Sequence, residues 1–291
     1  EKKPRNERYT IEERIISFMM GLQSASINYS ENRGILLPGF DRRTQVMGMD
    51  PNFEAPGLGF IFGKQSNFGS DSLDFAPYAA RQGWLVQQPN LNNPAMYTYS
   101  QNISLNASAS PIRDLRINLT GSQQRSRSTT EFYRWNPDSL EYRGESPVIN
   151  GSYSTSFSSW RTAFVPLRDD YSSATFDRFL EVRNQFSARL AEENRQSEGV
   201  HSTDTGDFRD GYGATSVDVL IPSFITAYGG KAVSLTGLSL FDLIPRLNWR
   251  LSYTGLGKLP SLRKHFKTFN LTHGYNSTVN AGGFINNQRY A

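Results

Sequence analysis

Alternation of apolar and polar positions is the dominant pattern along the chain. From Tyr97 one series reads Tyr97, Tyr99, Gln101, Ile103, Leu105 and Ala107. The interleaved series reads Thr98, Ser100, Asn102, Ser104, Asn106 and Ser108, with no apolar member. Period two marks a strand whose two faces meet different surroundings. Ser110-Pro111-Ile112-Arg113-Asp114 supplies turn chemistry. A return strand follows, with Leu115, Ile117, Leu119 and Gly121 against Arg116, Asn118, Thr120 and Ser122. The pattern predicts a hairpin. It recurs in Leu247, Trp249, Leu251 and Tyr253 against Asn248, Arg250, Ser252 and Thr254. It recurs again in Phe269, Leu271, His273, Tyr275, Ser277 and Val279 against Asn270, Thr272, Gly274, Asn276 and Thr278. Weaker runs are Ala25, Ile27, Tyr29 and Ile149, Gly151, Tyr153, Thr155, Phe157. Together these give about six strands, the clearest about 10 residues or longer, the length a tilted strand needs to cross a bilayer.

Between the strands the period changes. Asp169 to Arg195 reads as a helix, capped by Ser172 or Ser173, with Phe176, Phe179, Leu180, Phe186 and Leu190 on one face. Its Asp, Glu and Arg residues make it too charged to span a membrane. Gln196 to Gly213 reads as a polar loop. Val217 to Tyr228 is a short apolar segment interrupted by Pro222. Gly34 to Lys64 reads as an ordered, Gly/Pro-punctuated loop packed on something. The expected organisation is a strand region (1–32), a loop insert with a short helix (33–96), and barrel strands with one long loop (97–165). An insert (166–246) with a helix at about 173–194 and the apolar segment 217–228 follows, then further strands (247–291).

Composition sharpens the choice between a soluble sandwich and a membrane barrel. Residues Gln82 to Ile112 and Thr268 to Gln288 contain no Asp, Glu, Lys or Arg. The polar partners in the strands are Ser, Thr and Asn, where solvent-facing sheets lean on Lys and Glu. Membrane barrels put apolar residues toward lipid and polar ones toward a wet lumen, with aromatic girdles at the interfaces. On this pattern Asn102, Ser104, Asn106, Asn118, Thr120, Asn270, Thr272 and Asn276 face the lumen. Tyr97, Tyr99, Ile103, Leu105, Leu115, Ile117, Leu119, Trp249, Leu251, Tyr253, Leu271 and Tyr275 face lipid. A soluble β-sandwich with its apolar face inward remains the competing reading. About six strands cannot close a bacterial barrel, which needs at least about 8, so the rest of the wall is expected from a longer chain. The inserts are expected at the mouth or inside the lumen.

Catalytic chemistry is hard to find. The chain has no Cys and three His residues, which argues against a thiolate or histidine-rich metal site. Gly57-Leu58-Gly59-Phe60-Ile61-Phe62-Gly63-Lys64-Gln65 fails the phosphate-loop spacing, and Gln65 stands where Ser or Thr is required. Asp204, Asp207 and Asp210 are three apart and miss the calcium-loop pattern. His273 sits inside an alternating strand and reads as a structural or interfacial residue rather than a ligand. Asn-x-Ser/Thr recurs because residues i and i+2 share a strand face. No catalytic residue, cofactor or metal site is expected. A net charge of +4 is too small to argue for nucleic acid.

Several segments are familiar. They are Leu37-Pro38-Gly39-Phe40, Pro56-Gly57-Leu58-Gly59-Phe60-Ile61-Phe62-Gly63, Arg161-Thr162-Ala163-Phe164, and Gly211-Tyr212-Gly213 with Asp218-Val219-Leu220-Ile221-Pro222. Two more are Asn248-Trp249-Arg250-Leu251-Ser252-Tyr253-Thr254-Gly255-Leu256 and His265-Phe266-Lys267-Thr268-Phe269-Asn270-Leu271-Thr272-His273-Gly274-Tyr275. In this order they resemble the SprA/Sov family, the outer-membrane translocon of the Bacteroidetes type 9 secretion system. Family members are several times longer, so the chain matches a minority of such a parent.

The resemblance implies an all-β membrane protein, part of a very large transmembrane antiparallel β-barrel with helical and loop inserts. It implies a channel in the bacterial outer membrane that passes folded cargo with C-terminal signals from periplasm to cell surface, including adhesins in gliding species. Implied partners are a PorV-type outer-membrane shuttle protein, a plug protein and secreted cargo proteins, besides the lipid bilayer. Two other classes stay open: an outer-membrane transporter of lipid or small solutes, and a soluble β-rich adhesin or glycan-binding protein.

Overall fold

A computed structural model describes residues 21–70, 73–193, 207–229 and 245–285. Residues 1–20 of the first strand region, His201, and Asp204 of the aspartate series lie outside the described residues. Four long strands form an antiparallel meander: β1 (Leu22–Leu36), β2 (Ala95–Ala109), β3 (Leu115–Asn136) and β4 (Glu141–Ser156). Three shorter strands complete the sheet: β5 (Asn248–Tyr253), β6 (Leu271–Tyr275) and β7 (Thr278–Ile285). All pairings are antiparallel.

The predicted hairpin at 97–122 is present, with Ile103 opposite Gln123 and Ala109 opposite Ile117. Its turn uses Asp114 in the left-handed region (φ 68°), a conformation Asp tolerates better than most residues. Lys258 Nζ holds the Asp114 carboxylate at 2.6 Å. The 149–157 run is the end of a longer strand, β4. Its alternation is masked by a bulge between Thr130/Phe132 and the facing Val148/Glu145. Pro147, which has no N–H to donate, and Ser146 (φ 50°) occupy that bulge.

The register of β4 and β5 is unusual. β3 pairs with β4 from Gln123 to Asn136, and with β5 along the same edge from Leu115 to Thr120. β4 and β5 are therefore one strand in space, interrupted after Ser156 by residues 157–247. β6 and β7 likewise form one lane, paired with β5 and then with β4. The sheet thus has seven strand segments in five lanes. It is open: among the described residues β1 and the β6–β7 lane each pair on one side only.

Two inserts carry the packed cores. Residues 37–94 join β1 to β2 and contain α1 (Leu58–Ile61) and α2 (Phe75–Arg81). Phe75, Ala76 and Ala79 of α2 are fully buried, and Phe75 meets the rings of Phe60 and Phe68 at 4.5 and 5.1 Å. Burying one such ring contributes roughly 1.5–3 kcal/mol. The 157–247 insert contains α3 (Ala174–Glu193) and α4 (Val217–Tyr228). The predicted helix is thus observed within one residue of each end. Ser173 Oγ accepts the Phe176 N–H at 3.3 Å, and Asp177 complements the first turn. Val182 and Phe186 pack with Phe208 and Val219. The apolar run 217–228 is a helix containing Pro222, with Ser223 Oγ donating back to Val219 O at 2.6 Å.

Candidate functional site

The sheet faces are the functional surface, because strand register decides which residues share one. The predicted polar set falls together. Asn106 lies opposite Thr120, Ser104 opposite Ser122, Asn118 opposite Arg250, and Ser252 opposite Thr272. Side chains on this face bond across strands: Ser24 to Ser108 at 2.8 Å, Ser126 to Ser152 at 2.7 Å, and Ser154 to Asn280 at 2.6 Å. Asn102 lies on the same face, opposite Gln124. Asn270 precedes β6 and stays outside the ladder. Asn276 lies between β6 and β7, and its Oδ1 accepts the Asn248 Nδ2–H at 2.8 Å.

That bond belongs to a seam where the 157–247 insert leaves and re-enters the wall. Asn248, a buried side chain, also accepts the Ser277 N–H at 3.0 Å. Phe157 N–H donates to Ser277 O at 2.9 Å, and Arg246 N–H to Ser156 O at 3.2 Å. Ser156 Oγ accepts the Ser122 N–H at 3.1 Å and donates to Arg246 O. The interrupted ladder thus stays hydrogen-bonded through two polar side chains, as buried backbone groups require.

The opposite face changes character along its length. At one end it is an apolar band. Leu115, Ile117 and Leu119 lie opposite Tyr253, Leu251 and Trp249, with Leu271 beside Tyr253. On the other side of β3, Ile103 and Leu105 lie beside Tyr29 and Ile27 of β1. Ile27 is 75% exposed and Leu271 54%. At the other end the face is charged and aromatic. Arg33 pairs with Glu31, and Arg33 and Arg125 each lie over the Tyr99 ring, at 5.6 and 5.9 Å.

Both inserts rest on this face. The 37–94 insert covers its charged end: Tyr97 Oη accepts the Ala76 N–H at 2.9 Å, and Tyr142 Oη donates to Leu85 O at 2.6 Å. The 157–247 insert covers the middle. Trp160 packs on Trp249 at 5.7 Å and Tyr275 at 5.6 Å, and Tyr275 Oη accepts the Ser159 N–H at 2.8 Å. Gln123, Tyr153 and Thr155 are buried. Asp218 of α4 lies near Arg127; burial pushes its carboxyl above the ordinary range, and the guanidinium partly offsets this.

These contacts correct two expectations. Tyr97, Tyr99, Trp249 and Tyr275 do not face lipid freely, because each is engaged by an insert or by Arg side chains. The remaining residues of the apolar set form the band. The described parts of the inserts pack on the face opposite the Ser, Thr and Asn residues, so the inserts and that polar set do not share one side of the sheet, as a lumen holding both would require. The sequence reading missed the seam residues Ser156 and Asn248, which look like ordinary strand polars. It also missed the aromatic group Tyr133, Trp135 and Tyr142, whose alternation is broken by the bulge.

Among the described residues no group of three or more His, Asp or Glu side chains could hold a metal ion. No described helix is long and apolar enough to cross a membrane, which says nothing of strands. No protein-family model matches the chain, and no curated protein matches it in sequence.

Proposed function

We propose that this chain is part of the wall of a very large outer-membrane β-barrel, the protein-conducting channel of a type 9 secretion system. The observation that carries the barrel reading is a Ser/Thr/Asn-dominated face, charged beside the band only at Arg116 and Arg250, opposite an apolar band. Polar groups unpaired in hydrocarbon cost several kcal/mol each, so the Ser/Thr/Asn face belongs to water. Facing a wet lumen, it presents mostly hydroxyls and amides with few charges, so electrostatic trapping of cargo is weak away from Arg116 and Arg250. The SprA/Sov-like segments supply the assignment to protein export.

On this reading the inserts lie on the outer side of the wall, beyond the bilayer edge of the band. The band spans about seven residues of β3, roughly 23 Å along the strand at ~3.3 Å per residue. At ordinary tilt that is ~18 Å of height, against ~25 Å in membrane barrels. The Trp160–Trp249–Tyr275 cluster at its margin would serve as the aromatic girdle. A PorV-type shuttle protein, a plug protein and secreted cargo are the proposed partners.

The test is depletion of the whole parent gene in its host, following a reporter with a type 9 C-terminal signal. Periplasmic accumulation of the reporter, with other outer-membrane proteins still assembled, is the expected result. Normal release would overturn the translocon reading. If the protein still fractionates with the outer membrane in that case, transport of lipid or small solutes becomes the better account.

A further inference from the structure

We propose that the cleft between the 37–94 insert and the β3–β4 hairpin is a binding site for a neutral glycan. The cleft has a volume of about 810 Å³. Its wall is three touching aromatic rings. Tyr133 and Tyr142 are parallel to within 2° with centroids 6.0 Å apart, and Trp135 stands at 68° to Tyr142 at 5.0 Å. Its rim carries Asp41, Arg81 and Gln87 from the insert and Glu141 from the start of β4.

Sugars have two kinds of surface, and the cleft offers a partner for each. The C–H faces of a pyranose are apolar and carry partial positive charge, which suits the negative face of an aromatic ring. The hydroxyl edges need acceptors and donors together. Asp41 and Glu141 accept, and Gln87 does both. Pockets of this size use an aromatic lining with a few placed polar groups to fix orientation.

Two carboxylates against the one guanidinium of Arg81 leave the lining net negative, which disfavours phosphates and other anions. An extended apolar peptide would leave the polar rim unpaired, which is costly. The site is fixed before any ligand arrives. Tyr142 Oη is tied to Leu85 O at 2.6 Å, and Arg134 Nε donates to Leu91 O at 2.9 Å, fastening the insert to the hairpin. A preformed wall avoids the entropy of ordering it on binding. The cleft lies at the hairpin end of β3, away from the apolar band at Leu115, and its argument does not depend on the membrane reading.

The experiment is calorimetric titration of the whole chain, in a detergent without sugar headgroups, with cello-, malto-, manno- and chito-oligosaccharides. A Trp-containing peptide serves as the comparison ligand. At least one sugar should bind. Its affinity should fall about tenfold or more in Trp135→Ala and several-fold in Glu141→Gln, and stay unchanged in Trp160→Ala, which alters the other aromatic cluster. Glu141 is exposed, so Glu141→Gln remains informative if Trp135→Ala fails to fold. The proposal is overturned if no sugar binds, if binding survives both cleft variants, or if only the peptide binds.

Discussion

The insert-bearing face has two ends made by the same strands, and they behave as different materials. At the Leu115 end it is Ile103, Leu105, Ile117 and Leu119, with Ile27 beside them 75% exposed. At the Trp135 end it is Tyr97, Arg125 and Tyr133, roofed by the 37–94 insert. The other face is mostly Ser, Thr and Asn along the same strands, with Arg116 and Arg250 among them, and bears no insert core. Period-two alternation describes both ends equally well. What differs is the partner each end needs. An apolar band without charges needs hydrocarbon or another protein, whereas the charged, aromatic end makes its own partners from the chain.

Phe75→Ala should break the roofed end alone. Emptying the centre of that core should remove about 3–5 kcal/mol from the insert. Limited proteolysis should then cut within 37–94 while β-sheet circular dichroism persists. If the sheet is lost as well, the two ends are one cooperative unit.

Leu119→Arg or Leu105→Arg attacks the bare end. A cation near the midplane of a barrel's lipid face costs roughly 2–4 kcal/mol, so folding into bilayers should fail or slow. Asn106→Asp, on the opposite face, should be tolerated in the same assay. Equal behaviour of the two classes would sink the assignment of faces.

The seam joins the two ends, and Asn248→Ala tests it. The substitution leaves the Ser277 N–H and the Asn276 amide oxygen without the partner they now share. The expected loss is about 1–3 kcal/mol in urea unfolding. Asn248→Asp keeps an acceptor for the Ser277 N–H but puts an oxygen where Asn248 donates to Asn276, so it should recover at most part of that loss. An Ala variant as stable as the parent would mean that the ladder closes without side chains.

The smallest effect concerns α4, whose Asp218 lies near Arg127. Asp218 has a raised carboxyl pKa in the fold, so the folded state binds the proton more tightly than the unfolded state. Its charged form therefore opposes folding, and this penalty fades as pH falls from neutrality toward ~4, the ordinary carboxylate range. Asp218→Asn should raise the thermal midpoint near pH 7 and flatten its rise on acidification. An unchanged pH profile would show that the carboxyl is solvated.

Much of this architecture was legible in the residues. The 97–122 hairpin, the 173–194 helix and the two-faced strands follow from periodicity, because side chains alternate in a strand and repeat every three to four residues in a helix. β4 was legible only at its end, because Ser146 and Pro147 shift the register and hide the alternation before Val148. Pro222 marks 217–228 as interrupted, yet the helix runs through it with one ladder hydrogen bond fewer, and Ser223 Oγ donates to the Val219 carbonyl beside it. Glu31, Arg33, Arg125 and Arg127 alternate as well as Ile27 and Leu105 do, so period alone could not say where the apolar band stops.

By itself, then, the sequence determined the elements and the sorting of Ser, Thr and Asn onto one face, because these depend on spacing along the chain. It left three matters to the tertiary structure: that β4 and β5 are one strand cut by an insert, that both inserts lie on the face opposite the Ser/Thr/Asn side, and that Tyr97, Trp249 and Tyr275 are covered. Each depends on contacts between residues far apart in sequence, such as Ser156 with Arg246 and Trp160 with Tyr275. No local period encodes those pairings. They are fixed by which partners satisfy buried backbone groups and fill the aromatic packing once the strands are in register.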